Sequence, residues 1–227
     1  MAPAHTIAAL ESALEVGADA LALGIHLSKD GHPMVFGATK LERLSDGRGP
    51  LGALTARELK RLDAGGWKDP RFIGQRIQTL QEVLERFRDR THFWLELSGN
   101  AALYPEIEER VIGTLEIYDA IGVSVIVVQT RLSLLSARGC SAETRLAAVW
   151  EKGPVERALP ESGLAQALWA KGKLVTEAAI TTIRGAGLQC HARIDDEPAL
   201  ADRLVTYGVD GIITGRPGPV LARLGRR

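Results

Sequence analysis

Residues 21–43 read LALGIHLSKDGHPMVFGATKLER. An apolar run opens this stretch, Lys29-Asp30-Gly31 has the composition of a turn, and Pro33 to Phe36 is a second short apolar run. The layout predicts two strands that carry side chains to one end of a sheet. The residues expected at that end have no reactive side chain: they are Ala22, Gly24, Gly37 and Ala38.

Strand and helix patterns alternate along the rest of the chain. Short apolar runs bounded by turn residues occur at 20–27, 33–36, 92–97, 124–129, 145–150, 188–192 and 211–214. Segments with helical periodicity occur at 7–16, 78–88, 104–121, 132–138, 176–186 and 197–207. This alternation predicts an α/β fold whose parallel sheet is buried on both faces. Because neither glycine-rich nucleotide-binding pattern, G-x-G-x-x-G or G-x-x-x-x-G-K-[ST], occurs, a TIM barrel is favoured over a doubly wound sheet.

Two stretches interrupt the alternation. Residues 37–77 predict an insertion after an early strand, with a short helix at 55–63. Residues 151–172 predict a loop with one or two helical turns and no strand of their own. The simplest organisation is therefore a single barrel domain over residues 1–227.

Composition narrows the classes of partner. Twenty-eight basic residues balance twenty-eight acidic residues, and no basic block occurs, so nucleic acid is not an expected partner. No run of eighteen apolar residues predicts a membrane span, and the two cysteines have no metal-ligand spacing. The N-terminal residues lack the pattern of a signal peptide, so the predicted location is cytoplasmic.

Seven motifs in sequence order resemble the glycerophosphodiester phosphodiesterase family. They are PAHT at 3–6, GAD at 17–19, HLSKDG at 26–31, LER at 41–43, QTLQEVL at 78–84, LEL at 95–97 and GVDGIITGRP at 208–217. The resemblance implies a TIM barrel with its site at the carboxyl ends of the strands. It also implies phosphodiester cleavage by two histidines, acting as acid and base around a divalent cation that carboxylates hold.

The chain departs from the family pattern at most positions that carry this chemistry. The His-Arg-Gly motif of the family's first strand would lie before residue 1, and the lysine that follows the retained Glu96 is replaced by Ser98. Small residues occupy the other catalytic or ligand positions: Ala4, Ala22, Gly24, Gly37, Ala38 and Gly215. The family's Trp-Thr is replaced around Ala192 and Arg193. The sequence therefore predicts a pseudoenzyme without a metal or other cofactor.

Five polar residues remain as candidates for substrate binding in this barrel: His26, Glu96, Arg131, His191 and Arg193. Each also has a structural interpretation. His26 is expected at the rim, Arg131 can begin a helix, and Glu96 can be a leftover carboxylate paired with Arg131 or Arg193. Strand alternation places His191 and Arg193 on one face, but it does not decide whether that face is inward.

The leading functional hypothesis is a barrel that has lost metal-dependent hydrolysis and acts as a binding or interaction protein, with a small phosphorylated ligand. The alternative is a diverged phosphoric diester hydrolase of lipid or glycerophosphodiester metabolism, with a site rebuilt from His26, Glu96, Arg131 and His191. A third alternative is a structural or oligomeric subunit.

The absence of the family's first strand has a structural consequence. It predicts an incomplete barrel of seven strands, or an irregularly closed one, with unpaired strand edges at a seam. Either the native chain begins upstream of Met1, or a homo-oligomer or the N-terminal residues are expected to cover that seam.

Overall fold

The computed structural model describes residues 1–98, 103–159, 163–195 and 197–226. Their strands are β1 (Ala20–Leu27), β2 (Pro33–Val35), β3 (Gln78–Thr79), β4 (His92–Leu97), β5 (Ser124–Val128), β6 (Arg145–Trp150), β7 (Ala167–Lys171), β8 (Gln189–Ile194) and β9 (Gly211–Thr214). Their helices are α1 (Ile7–Glu15), α2 (Ala56–Leu59), α3 (Leu80–Phe87), α4 (Ile107–Ile117), α5 (Arg131–Cys140), α6 (Val155–Ala158), α7 (Glu177–Gly185), α8 (Pro198–Tyr207) and α9 (Pro217–Arg223).

All of these strands belong to one curled sheet in the order β3-β2-β1-β4-β5-β6-β7-β8-β9. β1 and β4 to β9 run parallel, whereas β2 pairs antiparallel with β1, and β3 antiparallel with β2. Within the described part of the chain, β9 pairs only with β8. The predicted incomplete α/β barrel is therefore confirmed. Among the described residues it consists of seven parallel strands with β2 and β3 added antiparallel, and no strand lies between β1 and β9.

The prediction for residues 151–172 is wrong in one respect, because β7 lies at its end. Four successive β7 residues, Ala167 to Ala170, are buried, so the strand is covered on both faces. The run QALWAK contains no β-branched residue and is only five residues long as a strand, which left too weak a pattern to separate it from the preceding loop. The predicted helical turn in this stretch corresponds to α6.

The predicted insertion at 37–77 contains 3-10 turns and α2, which is shorter than the helix expected at 55–63. It has a small hydrophobic core of its own, in which Met34 and Phe36 from the β2 region pack against Leu41, Leu51 and Leu59. This core fixes the insertion against the hairpin formed by β1 and β2. Within the described ranges, no helix has both the length and the apolar character needed to cross a membrane.

The two faces of the parallel strands have different roles. One face packs against the helices and carries buried apolar residues such as Leu23, Leu95 and Cys190. The opposite face points into the barrel, where Val127 and Trp169 belong to a separate small cluster with Trp94 packed against it. Because strand residues alternate in direction, His191 and Arg193 lie on the inward face of β8.

We predict that replacing Trp169 by alanine lowers the free energy of unfolding by about 3–5 kcal/mol, because removal of a buried aromatic side chain leaves a cavity. Urea unfolding followed by circular dichroism measures the change. Trp67, whose side chain is 46% exposed, gives the matched control, and Trp67→Ala should cost less than about 1 kcal/mol. Equal effects of the two substitutions would contradict the position of β7 in the sheet.

Candidate functional site

Three rings fill the centre of the barrel. The ring of Trp94 on β4 lies 5.7 Å from that of Trp169 on β7 and 4.1 Å from the imidazole of His191 on β8. The imidazole fits because its neighbour is Gly211: a Cβ atom there would lie 2.4 Å from His191 Nδ1. Burial lowers the pKa of His191 to about 4, so this ring is neutral at pH 7.

Charged side chains lie at the carboxyl ends of the strands above these rings. Arg193 donates a hydrogen bond to Glu151 at 2.7 Å, and Lys171 is the direct neighbour of Arg193 across the β7–β8 pair. Burial raises the pKa of Glu96, while the positive charge of Arg193 acts in the opposite direction. The predicted ion pair of Glu96 is not formed with Arg193, nor with Arg131, among the described contacts. The mouth thus combines two carboxyl groups with two cations.

A second polar cluster lies beside β1. His26 is fully buried, and its Nδ1 is 3.3 Å from the hydroxyl oxygen of Tyr104. Burial lowers the pKa of His26 to about 4, and the nearby His5 also lowers it. Burial also lowers the pKa of His5 to about 4. Both imidazoles are therefore neutral at pH 7.

The backbone of the hairpin closes over Gly24. The Phe36 N–H donates to the Gly24 carbonyl at 2.9 Å, and a Cβ atom on Gly24 would lie 2.6 Å from the Phe36 carbonyl oxygen. At Gly37 the corresponding Cβ position is 2.3 Å from Nε2 of His5. A side chain at residue 24 would thus collide with backbone, and one at residue 37 would displace the His5 ring.

These contacts test whether the residues present fit the divalent cation that the resemblance implies. A hard cation binds six or more oxygen ligands, among them carboxylates, carbonyls, water and substrate phosphate. The mouth offers Glu96 and Glu151, but Glu151 already accepts a hydrogen bond from Arg193, and a ligand at residue 24 has no room beside Phe36. Across the described ranges, no three His, Cys, Asp or Glu residues are grouped as a metal site. The residues therefore do not fit that cation.

The predicted site residues separate into three places. Glu96, His191 and Arg193 share the interior of the barrel, whereas His26 is buried against Tyr104. Arg131 is the exposed first residue of α5, after the N-cap Thr130, whose side chain accepts from the N–H of Ser133. No described contact joins Arg131 to the other candidates.

Sequence analysis missed several residues at the mouth. Trp169 and Lys171 were missed together with β7, because the short run that contains them is too weak a pattern to separate from the preceding loop. Glu151 directly follows β6, so a carboxylate at the end of a predicted strand was the signal for it, whereas Tyr104 lies well beyond the end of β4 and had no such signal. His5 has a positive φ of 63° and reaches Gly37 only through tertiary folding.

Four buried ring nitrogens have no hydrogen-bond partner within the described part of the chain. They are His5 Nδ1, His26 Nε2, Trp169 Nε1 and His191 Nε2. Buried polar atoms almost always have a partner, which can be water or a ligand. Beside Gly37 there is also an open pocket of about 540 Å³, whose lining includes Lys40 and Arg43. Of the four, only Trp169 Nε1 is necessarily a donor. Together with Arg193 and Lys171 at the mouth, it favours an anionic group over a cation.

The sequence of the whole barrel matches one family. The model of the glycerophosphoryl diester phosphodiesterase family matches residues 1–219, so the chain belongs to this family. A glycerophosphodiester phosphodiesterase of Caldanaerobacter subterraneus subsp. tengcongensis is 30% identical over 95% of this chain and 89% of its own length. One from Bacillus subtilis is 28% identical over 95% of this chain and 80% of its own length.

Solved structures agree with the fold. A glycerophosphodiester phosphodiesterase from Agrobacterium tumefaciens superposes with a TM-score of 0.83, at 25% identity, over 98% of this chain and 94% of that chain. A phosphodiesterase from Oleispira antarctica, solved with the product sn-glycerol-3-phosphate, gives a TM-score of 0.90 at 24% identity, over 99% of this chain and 92% of that chain. The barrel architecture is thus shared with these proteins.

We predict that the protein loses stability as the pH falls from about 6.5 towards 4. The folded-state pKa values of His5, His26 and His191 are lowered to about 4. The neutral imidazoles therefore contribute fully to the free energy of unfolding above pH 6.5, the ordinary pKa of histidine. This contribution is lost as the pH falls towards the folded-state pKa values. For His26, protonation in the folded state costs roughly 3 kcal/mol more than in the unfolded chain. Thermal unfolding measured at several pH values tests this.

The variant His26→Gln should flatten part of this pH dependence because it removes one proton-binding group. His92, which is exposed at the start of β4, provides the control through His92→Gln. If His26→Gln and His92→Gln change the pH profile equally, the buried imidazole is not a source of the acid sensitivity.

Proposed function

We propose that this family member does not carry out metal-dependent phosphodiester hydrolysis and instead binds a small phosphorylated ligand at the mouth of the barrel. The observation that carries the proposal is the contact at Gly24, where the Phe36 carbonyl occupies the space of a metal-binding side chain. A cation supplies a large part of the transition-state stabilisation in phosphoryl chemistry. Without its ligands, the family reaction loses that contribution.

The mouth has the chemistry to bind a phosphate group. Arg193 and Lys171 lie on neighbouring inward positions, and arginine is suited to paired hydrogen bonds with phosphate. Trp169 adds a buried N–H that lacks a partner, and His191 adds a second ring nitrogen. A bound phosphate would take over the hydrogen bond that Arg193 now donates to Glu151.

A rebuilt hydrolytic site is the second candidate, and the described contacts give it little support. Such a site needs an acid and a base within hydrogen-bond reach of one substrate position. His26 contacts Tyr104, the ring of His191 lies tilted against that of Trp94, and Arg131 is exposed on α5. A role in lipid metabolism and a cytoplasmic location stay predictions from the sequence.

We predict no metal-dependent turnover of glycerophosphodiesters or of bis-p-nitrophenyl phosphate. Release of product is measured with Mg²⁺, Mn²⁺ or Ca²⁺ and with a chelator, on the parent protein and on Glu96→Ala. Both proteins should give the background rate under every condition. Metal-dependent turnover that Glu96→Ala abolishes would overturn this part of the proposal.

We predict that sn-glycerol-3-phosphate binds to the parent protein and that Arg193→Ala weakens its binding at least tenfold. A hydrogen bond between charged groups contributes about 1.5–3 kcal/mol, which corresponds to this factor. Isothermal titration calorimetry measures both affinities. Arg145→Ala, at the amino end of β6, is the matched control and should bind as the parent does. Absence of binding to the parent protein would refute the ligand-binding function.

A further inference from the structure

The insertion carries a positive charge that the rest of the chain balances. Residues 37–77 contain nine basic and five acidic residues, whereas the whole chain has equal numbers of both. Glu58 and Asp63 hold backbone N–H groups of the insertion itself, and Asp69 accepts hydrogen bonds from Arg71. The insertion is therefore the positively charged part of a molecule whose net charge is zero.

The loop that follows Asp63 is held by the carboxylate of that residue. One of its oxygens accepts from the N–H groups of Gly65 and Gly66, at 2.8 and 2.6 Å, and the other accepts from Gly74 at 2.5 Å. The N–H groups of Gly66 and Gly74 hold the pKa of the Asp63 carboxyl below its usual range. A Cβ atom at Gly65 would lie 1.9 Å from the Phe72 carbonyl oxygen, so the two arms of the loop touch. Backbone contacts thus fix this loop without help from its exposed side chains.

Two large apolar side chains of the loop are exposed next to each other. Trp67 is 46% exposed and Ile73 is 70% exposed. Ile73 lies beside Gly66, the residue before Trp67, because a Cβ atom there would be 3.1 Å from Ile73 Cγ1. The indole N–H already donates to the Ala64 carbonyl at 3.0 Å, so the exposed part of the ring is apolar. An apolar pair on a fixed loop indicates a surface that meets a partner.

Exposed cations lie along the same segment. Lys68 Nζ is 5.5 Å from the centroid of the Trp67 ring, and the Arg76 guanidinium donates to the Arg61 carbonyl at 2.8 Å. The Arg71 guanidinium lies 6.0 Å from the centroid of the Phe72 ring. We call this surface the insertion patch and define it by six residues: Arg61, Trp67, Lys68, Arg71, Ile73 and Arg76.

We propose that the insertion patch attaches the protein to the surface of a membrane that contains anionic lipid. Tryptophan prefers the boundary between a bilayer and water, and basic side chains place their charged ends beside lipid phosphates there. Shallow apolar insertion and electrostatic attraction are the two contributions that reversible membrane binding requires. No residue of the patch belongs to the mouth, so this attachment does not depend on the ligand-binding function.

The size of the apolar part favours a lipid surface over a protein partner. Specific protein interfaces take about 800 Å² from each partner and have a packed apolar centre. The insertion patch has only Trp67 and Ile73 for such a centre. Two side chains of this kind can enter the headgroup region of a bilayer without a complementary pocket. The four cations of the patch favour anionic over neutral lipid.

The test uses the intact protein and unilamellar vesicles, with binding measured by flotation. One set of vesicles is phosphatidylcholine alone. In the other set, about one third of the lipid is phosphatidylglycerol, which supplies a negative surface. We expect binding to the second set and at least about tenfold weaker binding to the first. High salt should weaken the binding, because it screens the attraction between the patch and the lipid.

Matched variants assign the binding to the patch. Ile73→Ser and Arg61→Glu should each weaken it at least about tenfold, the first through lost insertion and the second through repulsion. Ile117→Ser on α4 and Arg203→Glu on α8 change exposed residues of the same types elsewhere, and they should bind vesicles as the parent does. Circular dichroism confirms that each variant is folded. All four should bind sn-glycerol-3-phosphate as the parent protein does.

Tryptophan fluorescence distinguishes insertion from adsorption. Brominated lipid in the anionic vesicles quenches an indole that enters the bilayer. The parent protein should be quenched, whereas Trp67→Ala should not be, because the other three indoles are packed in hydrophobic clusters of the protein.

Four outcomes would overturn the proposal. The first is equal binding, or no binding, with the two sets of vesicles. The second is an equal effect of Ile73→Ser and Ile117→Ser, and the third is vesicle binding without quenching of Trp67. The fourth is binding to polyglutamate but not to vesicles, which would identify an acidic polypeptide as the partner.

Discussion

The close approach of the Phe36 backbone to Gly24 is the contact on which the upper part of this barrel depends. The Phe36 N–H donates to the Gly24 carbonyl, and its own carbonyl oxygen lies where a side chain of residue 24 would begin. Only glycine permits this approach. The hairpin that results places Met34 and Phe36 in the core of the insertion, so the same contact links the barrel to that segment.

The interior of the barrel combines a centre filled by rings with a charged mouth. The rings of Trp94, Trp169 and His191 fill the centre, as side chains do in barrels of this kind. Above it, carboxyl groups and cations are paired closely enough to affect one another, as Glu151 and Arg193 are. Shape and charge of the mouth are therefore set by residues of β4, β6, β7 and β8 rather than by the hairpin.

Much of the fold could be predicted because alternating apolar runs and helical segments specify a parallel sheet. The strand β7 could not be predicted, because five residues without a β-branched side chain are also compatible with a loop. The inward direction of His191 and Arg193 also required the structure, because alternation defines two faces without orienting them. The sequence identified Gly24 and Gly37 as positions where the chain departs from the family pattern. Only tertiary contacts show that the Phe36 carbonyl and the His5 ring occupy the vacated space.

The contact at Gly24 also limits what can be engineered at this end of the barrel. A carboxylate introduced at residue 24 would meet the Phe36 carbonyl oxygen, so the backbone of the hairpin would have to move before the new side chain could bind anything. Because Met34 and Phe36 also pack in the core of the insertion, such a movement would be transmitted to that core. Residue 24 and the insertion therefore have to be redesigned together, as one mechanical unit.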